Sequence, residues 1–507
     1  SKIIIMKLIN KNATWESLYF SLMFKLISLL GPLLLVPIFL KYLTIEEYGA
    51  WLMTVSITSY FFLANPGITK VVSNAIARKS DSNDIKYYSQ VASSGYYLFQ
   101  KITSIILFFT LLFFIFSRLF FERVFFEIES VALFFPLLIM ISLNLVTYPM
   151  IIYKSVLRGL DLIDVEQKYN IILGLVFRYL LTIIGLFSGL KLIYLAIIYS
   201  LSNFLPSIGS KFFLKKKIPQ FRISKAKKNQ EILQKMIKPV GSFFILLISM
   251  AFQFTIGTIL IGFILGPSYV PMYAIPMQII IILITSIKVV SEVKMPLISK
   301  LYKQNKLFDL QSLLRSLLFL SIVSMLILTL NLYFFGEVIL ITWAGNTVFP
   351  GQEVFNLMLL FSLIFCISYP LSSILEATEN ISGYTKMTTI EAILNILLTI
   401  FLTINMGIKG TILSVIISRL LTNGWFLFKE ILRILEYKSL DFIKWFVADL
   451  FLPLLILLSS IYLISYIGIL NDGSFIAQIF SLNMYLACFF MLASKKNILK
   501  AFRLFFN

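Results

Sequence analysis

The chain of 507 residues is 59% hydrophobic and 13% charged, with a mean hydropathy of +0.92; soluble globular chains hold roughly 45–50% apolar and about 25% charged residues, so the composition excludes a water-soluble fold and makes the bilayer the solvent. Histidine is absent and the two cysteines, Cys366 and Cys488, both sit in apolar runs, which excludes histidine catalysis, a zinc site and a disulfide framework. The formal charge of +20 reads as loops biased by the positive-inside rule rather than as nucleic-acid binding, because no soluble basic module is long enough.

In chain order, apolar runs of spanning length cover 15–41, 48–65, 87–116, 130–153, 169–187, 192–211, 240–265, 272–291, 309–334, 352–375, 388–405, 410–429, 447–468 and 475–493. Each is long enough for a hydrocarbon layer of about 30 Å. The predicted fold class is therefore all-α, a polytopic membrane protein of about fourteen transmembrane helices. The first run already has spanning length, so no cleavable signal peptide is expected. No GxxxxGK[ST] motif is present, so no P-loop ATP hydrolysis is expected.

Most Lys and Arg residues fall in 1–14, 66–86, 154–168, 211–239, 292–308, 376–387, 430–446 and 494–507, whereas the alternate loops hold only Lys41, Arg118, Arg123, Lys191 and Lys409. This imbalance places both termini in the cytoplasm. The basic segment 211–239 interrupts the apolar pattern and reads as a cytoplasmic connector, with attraction to anionic headgroups or an anionic lipid-linked substrate as the alternative. The chain is accordingly divided into an N-terminal lobe at 1–210, the linker at 211–239, a C-terminal lobe at 240–430 and an additional pair of spans with a tail at 431–507.

The lobes echo one another. Tyr148-Pro149 recurs as Tyr369-Pro370, and Gly189-Leu190-Lys191 recurs as Gly407-Ile408-Lys409 at nearly the same offset. A six-plus-six parallel repeat follows, and such repeats in transporters bind substrate near the midplane between the halves.

The stretch GPLLLVPIFLKYLTIEEYGAWLMTVSITSYFFLANPGITKVVSNAIARK, residues 31–79, carries a Pro-containing first span, the turn Glu47-Tyr48-Gly49, and Pro66-Gly67 followed by Asn74-Ala75-Ile76-Ala77. With SVLRGLDLIDVEQKYN at 155–170, it resembles the O-antigen flippase (Wzx) family of the multidrug/oligosaccharidyl-lipid/polysaccharide (MOP) exporter superfamily, over the first twelve spans. The resemblance implies two six-helix lobes around a central cavity lined largely by spans one, two, seven and eight. It implies a flippase moving an undecaprenyl-diphosphate-linked oligosaccharide across the bacterial cytoplasmic membrane by alternating access. Its partners would be the lipid-linked oligosaccharide, membrane lipids, and a polysaccharide polymerase with other glycan-assembly proteins. Many O-antigen flippases have twelve spans and fourteen resembles the lipid II flippases, so capsule units and lipid II stand as alternative cargoes.

Among the cations inside predicted spans, five stand as candidate cavity residues: Lys25, Lys101, Arg178, Lys288 and Arg419. Intramembrane charge is costly and marks function by default. None of the 24 acidic residues lies near a span centre, and Glu16, Glu391 and Asp449 lie near inner helix ends. The expectation is a net positive cavity that binds a diphosphate, Arg supplying a planar fork and Lys a compact charge. Packing against helix carbonyls is the alternative for any one of them. Trp51, Tyr60 and Phe61 are candidate sugar-stacking aromatics, though ordinary packing is the commoner role in so aromatic a chain. No catalytic residue, cofactor or metal is expected. A cation–drug antiporter would need a carboxylate deep in a lobe; a membrane glycosyltransferase or polymerase would need an acid pair, for which only Glu46-Glu47 and the loop 335–351 offer candidates.

Overall fold

The computed structural model describes residues 13–62, 65–79, 84–120, 130–227 and 229–448, and the structural statements below concern these. In a bilayer every backbone amide must be satisfied within its own segment, and among the described residues only helices, turns and irregular connections occur. In chain order the helices are α1 (Ala13–Tyr42), α2 (Ile45–Phe62), α3 (Asn65–Ala77), α4 (Ile85–Phe120), α5 (Ser130–Thr147), α6 (Ile152–Gly159), α7 (Ile163–Tyr169), α8 (Phe177–Phe187), α9 (Leu192–Lys217) and α10 (Gln230–Ile264). They continue as α11 (Val270–Val293), α12 (Met295–Lys303), α13 (Leu307–Ala344), α14 (Gln352–Ala377), α15 (Ile381–Leu421), α16 (Asn423–Ile434) and α17 (Ser439–Phe446).

Eight helical segments among these are long and apolar enough to cross a membrane, one of them running from Ile381 to Ile434 through two predicted spans. Predicted spans two, three and seven fall in α2, α4 and α10. The last two predicted spans lie outside the described residues, apart from positions 447 and 448. Apolar side chains such as Leu34, Val146, Leu397 and Phe401 are exposed, as expected of surface that lipid covers.

Two compact units divide between Pro271 and Met272. The first contains α1 to α10 and so includes the helix of the seventh predicted span. Gly49 on α2 explains part of that packing: a Cβ there would lie 1.8 Å from the carbonyl oxygen of Pro267, and one at Gly262 would lie 2.1 Å from the Met53 sulfur. Tyr60 and Thr255 continue the same contact with an Oη–Oγ1 hydrogen bond of 2.7 Å.

Two segments differ from the loop assignments. Most of the segment counted as the loop 66–86 is helical, in α3, where Ile68, Val72 and Ile76 recur every fourth position and are fully buried. The linker is shorter than 211–239, because α9 continues to Lys217 and α10 starts at Gln230, where the Asn229 side chain accepts the N–H groups of Glu231 and Ile232.

The two units share turn geometry. Asp161 and Glu379 are left-handed at φ 59° and 62°, and Gly189 and Gly407 at 74° and 61°. The members of each pair are separated by the same length of chain. Non-glycine residues seldom adopt this region, so its recurrence at one offset supports the internal repeat.

The first turn of α2 is closed reciprocally: Glu47 N–H donates to Thr44 Oγ1 at 3.1 Å, and Thr44 N–H to Glu47 Oε2 at 3.0 Å. Lys191, just past the Gly189 turn, pairs with Glu47 Oε1. Burial acts to raise the Glu47 carboxyl, but Lys191 and Thr44 outweigh it and hold it below its ordinary value. A carboxyl with a lower pKa folded than unfolded stabilises above the unfolded value and loses that contribution as pH falls through the folded one. Glu47→Gln is therefore expected to lower Tm at about pH 7, by no more than the ~1 kcal/mol of an exposed pair, and to lower it less at about pH 3. An equal deficit at both pH values would assign the effect to something other than ionisation.

Candidate functional site

Arg178 lies in the hairpin that turns at Gly189. On its helix, Ile172, Val176, Leu180, Ile184 and Phe187 form an exposed apolar stripe. Arg178 is two residues, or about 200°, from both Val176 and Leu180, which turns it away from that stripe. There Nε donates to Ser202 Oγ at 2.7 Å and Nη2 to Asn203 Oδ1 at 2.6 Å, both on α9. The guanidinium carbon sits 4.2 Å from the Tyr199 ring centroid. These partners are neutral, so they satisfy donors without cancelling the charge.

Lys25 lies on α1, which packs against α8. Tyr179, next to Arg178, donates its hydroxyl to the Ile27 carbonyl at 3.3 Å, and a Cβ at Gly31 would overlap the Tyr179 ring. Helix α1 thus touches α8 beside both cations. Lys25 is half-buried, whereas Lys101 is exposed on α4, and nothing in the structure brings Lys101 to the other two. No carboxylate pairs with Lys25, Lys101 or Arg178 among the described residues.

The second unit treats its cations differently, and here the expectation that no carboxylate compensates them is corrected. Arg419 Nη1 donates to both oxygens of Glu391, at 3.0 and 3.1 Å, and the two side chains are 4% and 0% exposed. Glu391 Oε2 also accepts from Thr422 Oγ1 at 3.1 Å and Asn423 Nδ2 at 2.6 Å. Lys288 lies 3.4 Å from Glu292, one turn along its own helix. Phe365 and Tyr369, one turn apart on α14, face the two cations, at 4.3 Å from Arg419 and 5.4 Å from Lys288. The charge of this unit's pair is thereby largely offset, while that of the first unit's cations is not.

The hydrogen bonds of Glu391 adjoin a buried polar seam within α15. Thr399 and Ser414 meet at 2.6 Å, Thr403 and Thr411 at 2.7 Å, and Asn395 accepts from both Thr399 and Ser414. Gly407, left-handed between the halves, folds the helix back on itself so that these residues face one another.

Of the candidate aromatics, Trp51 is buried, edge-on to Tyr199 at 5.9 Å, and the Tyr60 ring packs 4.9 Å from Phe252; the Phe61 side chain lies outside the described residues. The stretch 155–170 holds a brace, with Arg158 bidentate on the buried Glu166 at 2.6 and 3.0 Å and Lys154 on Asn170 Oδ1 at 2.9 Å. Glu46-Glu47 forms no acid pair, since Glu47 is held by Thr44 and Lys191. Glu353 is paired with Lys409. Among the described residues no group of three His, Cys, Asp or Glu could hold a metal ion.

Residues 14–302, more than half of the chain, match the family model described as polysaccharide biosynthesis protein. Among solved structures the chain is similar to an inward-facing multidrug resistance MATE-family transporter of the MOP superfamily, at TM-score 0.66 and 13% identity, over 82% of this chain and 96% of that one. It is also similar to the lipid II flippase MurJ in an inward closed conformation, at 0.67 and 19%, over 95% and 100%. An outward-facing MATE transporter matches at 0.54 and 16%, over 86% and 97%. At such identities the likeness is one of fold. A search of curated proteins gives no match.

Proposed function

The chain belongs to the polysaccharide biosynthesis protein family, with the fold of the MOP-superfamily membrane transporters, and from that premise we propose that it flips an undecaprenyl-diphosphate-linked oligosaccharide, an O-antigen repeat unit, across the bacterial cytoplasmic membrane by alternating access. The observation that carries this reading is the positive charge left uncancelled in the first unit. Arg178 is fixed by neutral partners, and Lys25 lies two residues before the Ile27 carbonyl that Tyr179 bonds on the adjoining helix. In a low-dielectric setting such charges attract an anion strongly, and the diphosphate is the anionic part of the cargo. Lys101 stands apart from these two as a further cation on α4, while Lys288 and Arg419, offset by Glu292 and Glu391, serve chiefly to hold the second unit together.

The proposed arrangement keeps both termini in the cytoplasm, six-helix lobes at 1–210 and 240–430, and polysaccharide polymerase among the glycan-assembly partners. A cation–drug antiporter is disfavoured by the same geometry. The buried acid it would need exists as Glu391, but that carboxylate is already bound by Arg419, Thr422 and Asn423.

Complementation tests the reading in two strains, one lacking its O-antigen flippase and one depleted of its lipid II flippase. Restored long-chain surface glycan in the first strain is the expected result. Rescue of growth in the second alone would reassign the cargo to lipid II. Rescue of neither, with the chain present in the membrane, goes against a lipid-linked glycan.

A further inference from the structure

The basic segment after α9 is strapped down rather than loose. Ser89, Ser93 and Ser94 on α4 are buried polar residues whose hydroxyls would ordinarily bond back to their own helix. Here they accept the backbone N–H groups of Arg222, Ser224 and Asn229 at 3.3, 3.2 and 3.0 Å. The Ser94 hydroxyl also donates to the Asn229 carbonyl at 3.2 Å. Leu214, Ile218 and Phe221 are buried in the core that α3, α4 and α6 share, and the Phe221 ring meets Tyr153 edge-on at 6.5 Å. Three apolar anchors and four hydrogen bonds thus fix a path that a mere connector would not need.

Five of the side chains left outward are cationic. Lys215, Lys216, Lys217, Arg222 and Lys225 are all exposed, and none pairs with a carboxylate among the described residues. Helix α9 has 26 residues, about 39 Å at 1.5 Å per residue, against a hydrocarbon layer of about 30 Å. Its last turn, with the three lysines, therefore reaches headgroup depth. Phe212, exposed one turn earlier, is an apolar side chain suited to the same boundary.

We propose that the strapped segment and the end of α9 form a fixed basic platform that binds the headgroups of anionic phospholipids. The cations are spread along a pinned backbone rather than gathered around one point, which suits a layer of headgroups better than a single phosphate ion. The inference goes beyond the transport reading, and its readout involves no transport, so the two fail separately.

The test is native mass spectrometry of the full chain released from micelles holding equal phosphatidylglycerol and phosphatidylcholine. The wild type is expected to retain phosphatidylglycerol at least tenfold over phosphatidylcholine. Combined Lys215→Gln, Lys216→Gln, Lys217→Gln, Arg222→Gln and Lys225→Gln abolishes that preference, while Lys300→Gln with Lys303→Gln on α12 leaves it intact. Ser89→Ala with Ser93→Ala and Ser94→Ala keeps every charge but frees the strap, and lowers the preference at least threefold. Ser94→Ala alone, which removes both bonds to Asn229, serves if the triple variant fails to fold. No preference in wild type, or its survival in the five-cation variant, overturns the proposal. A serine variant that binds as wild type overturns the fixed platform, and displacement of the lipid by millimolar inorganic phosphate overturns the assignment to headgroups.

Discussion

Arg178→Ala is expected to slow transport of the lipid-linked diphosphate by about 10- to 100-fold, the range that follows from losing a hydrogen bond to a charged group worth about 1.5–3 kcal/mol. The protein should still fold. Its partners Ser202 and Asn203 are neutral, so removing the cation strands no opposing charge. The arginine is only half-buried. Arg178→Lys keeps a point charge but loses the planar fork and is expected to fall between alanine and wild type. Transport by initial rate and folding by Tm separate the cases. A large fall in Tm with unchanged transport per folded molecule would make Arg178 a packing residue.

The opposite pattern is expected at Glu391. Glu391→Ala leaves the Arg419 guanidinium buried without its counter-charge and deprives Thr422 and Asn423 of their acceptor. Breaking a buried pair from one side costs about 3–5 kcal/mol, a large part of the roughly 5–15 kcal/mol that folded domains typically hold. Poor accumulation in the membrane and a sharply lower Tm are the expected result. Removing both charges, with Glu391→Gln and Arg419→Met, should recover much of the loss, because a buried pair replaced by neutral residues is often nearly neutral in stability. If Glu391→Ala kept wild-type Tm and lost only transport, Glu391 would be a working part of the cycle and not a brace.

These two sites differ in how far they can be read from the sequence. The spans are legible because apolar runs of bilayer length leave few alternatives, and helix covers each of the first twelve within the described residues. The register of the helical hairpins is not legible from run lengths. It is set by Gly189 and Gly407, the left-handed turn points. Residues at similar separations on either side of such a glycine face each other, as Arg178 and Ser202 do across Gly189, and Thr403 and Thr411 across Gly407. Counting outward from Gly407 sets Arg419 opposite Asn395, one helical turn from Glu391 on the same face, whereas placing each residue within its own span puts the acid at a helix end and the base at mid-span. Helix α3 escapes a reading by charge because Lys70 and the cations that follow it resemble a loop, although Pro66 near its start and the apolar period Ile68, Val72, Ile76 mark a buried helical face. Sugar preference has no comparable signature, since it rests on shape contributed by many small contacts.

The most direct test of the account reconstitutes the full chain in sealed vesicles with a fluorescent undecaprenyl-diphosphate oligosaccharide on one leaflet, and follows its appearance on the other by an impermeant quencher. Protein-dependent movement is expected, slowed at least tenfold in Arg178→Ala, with no accumulation of a cationic dye. Movement of the dye, with the labelled lipid staying where it was placed, would contradict it.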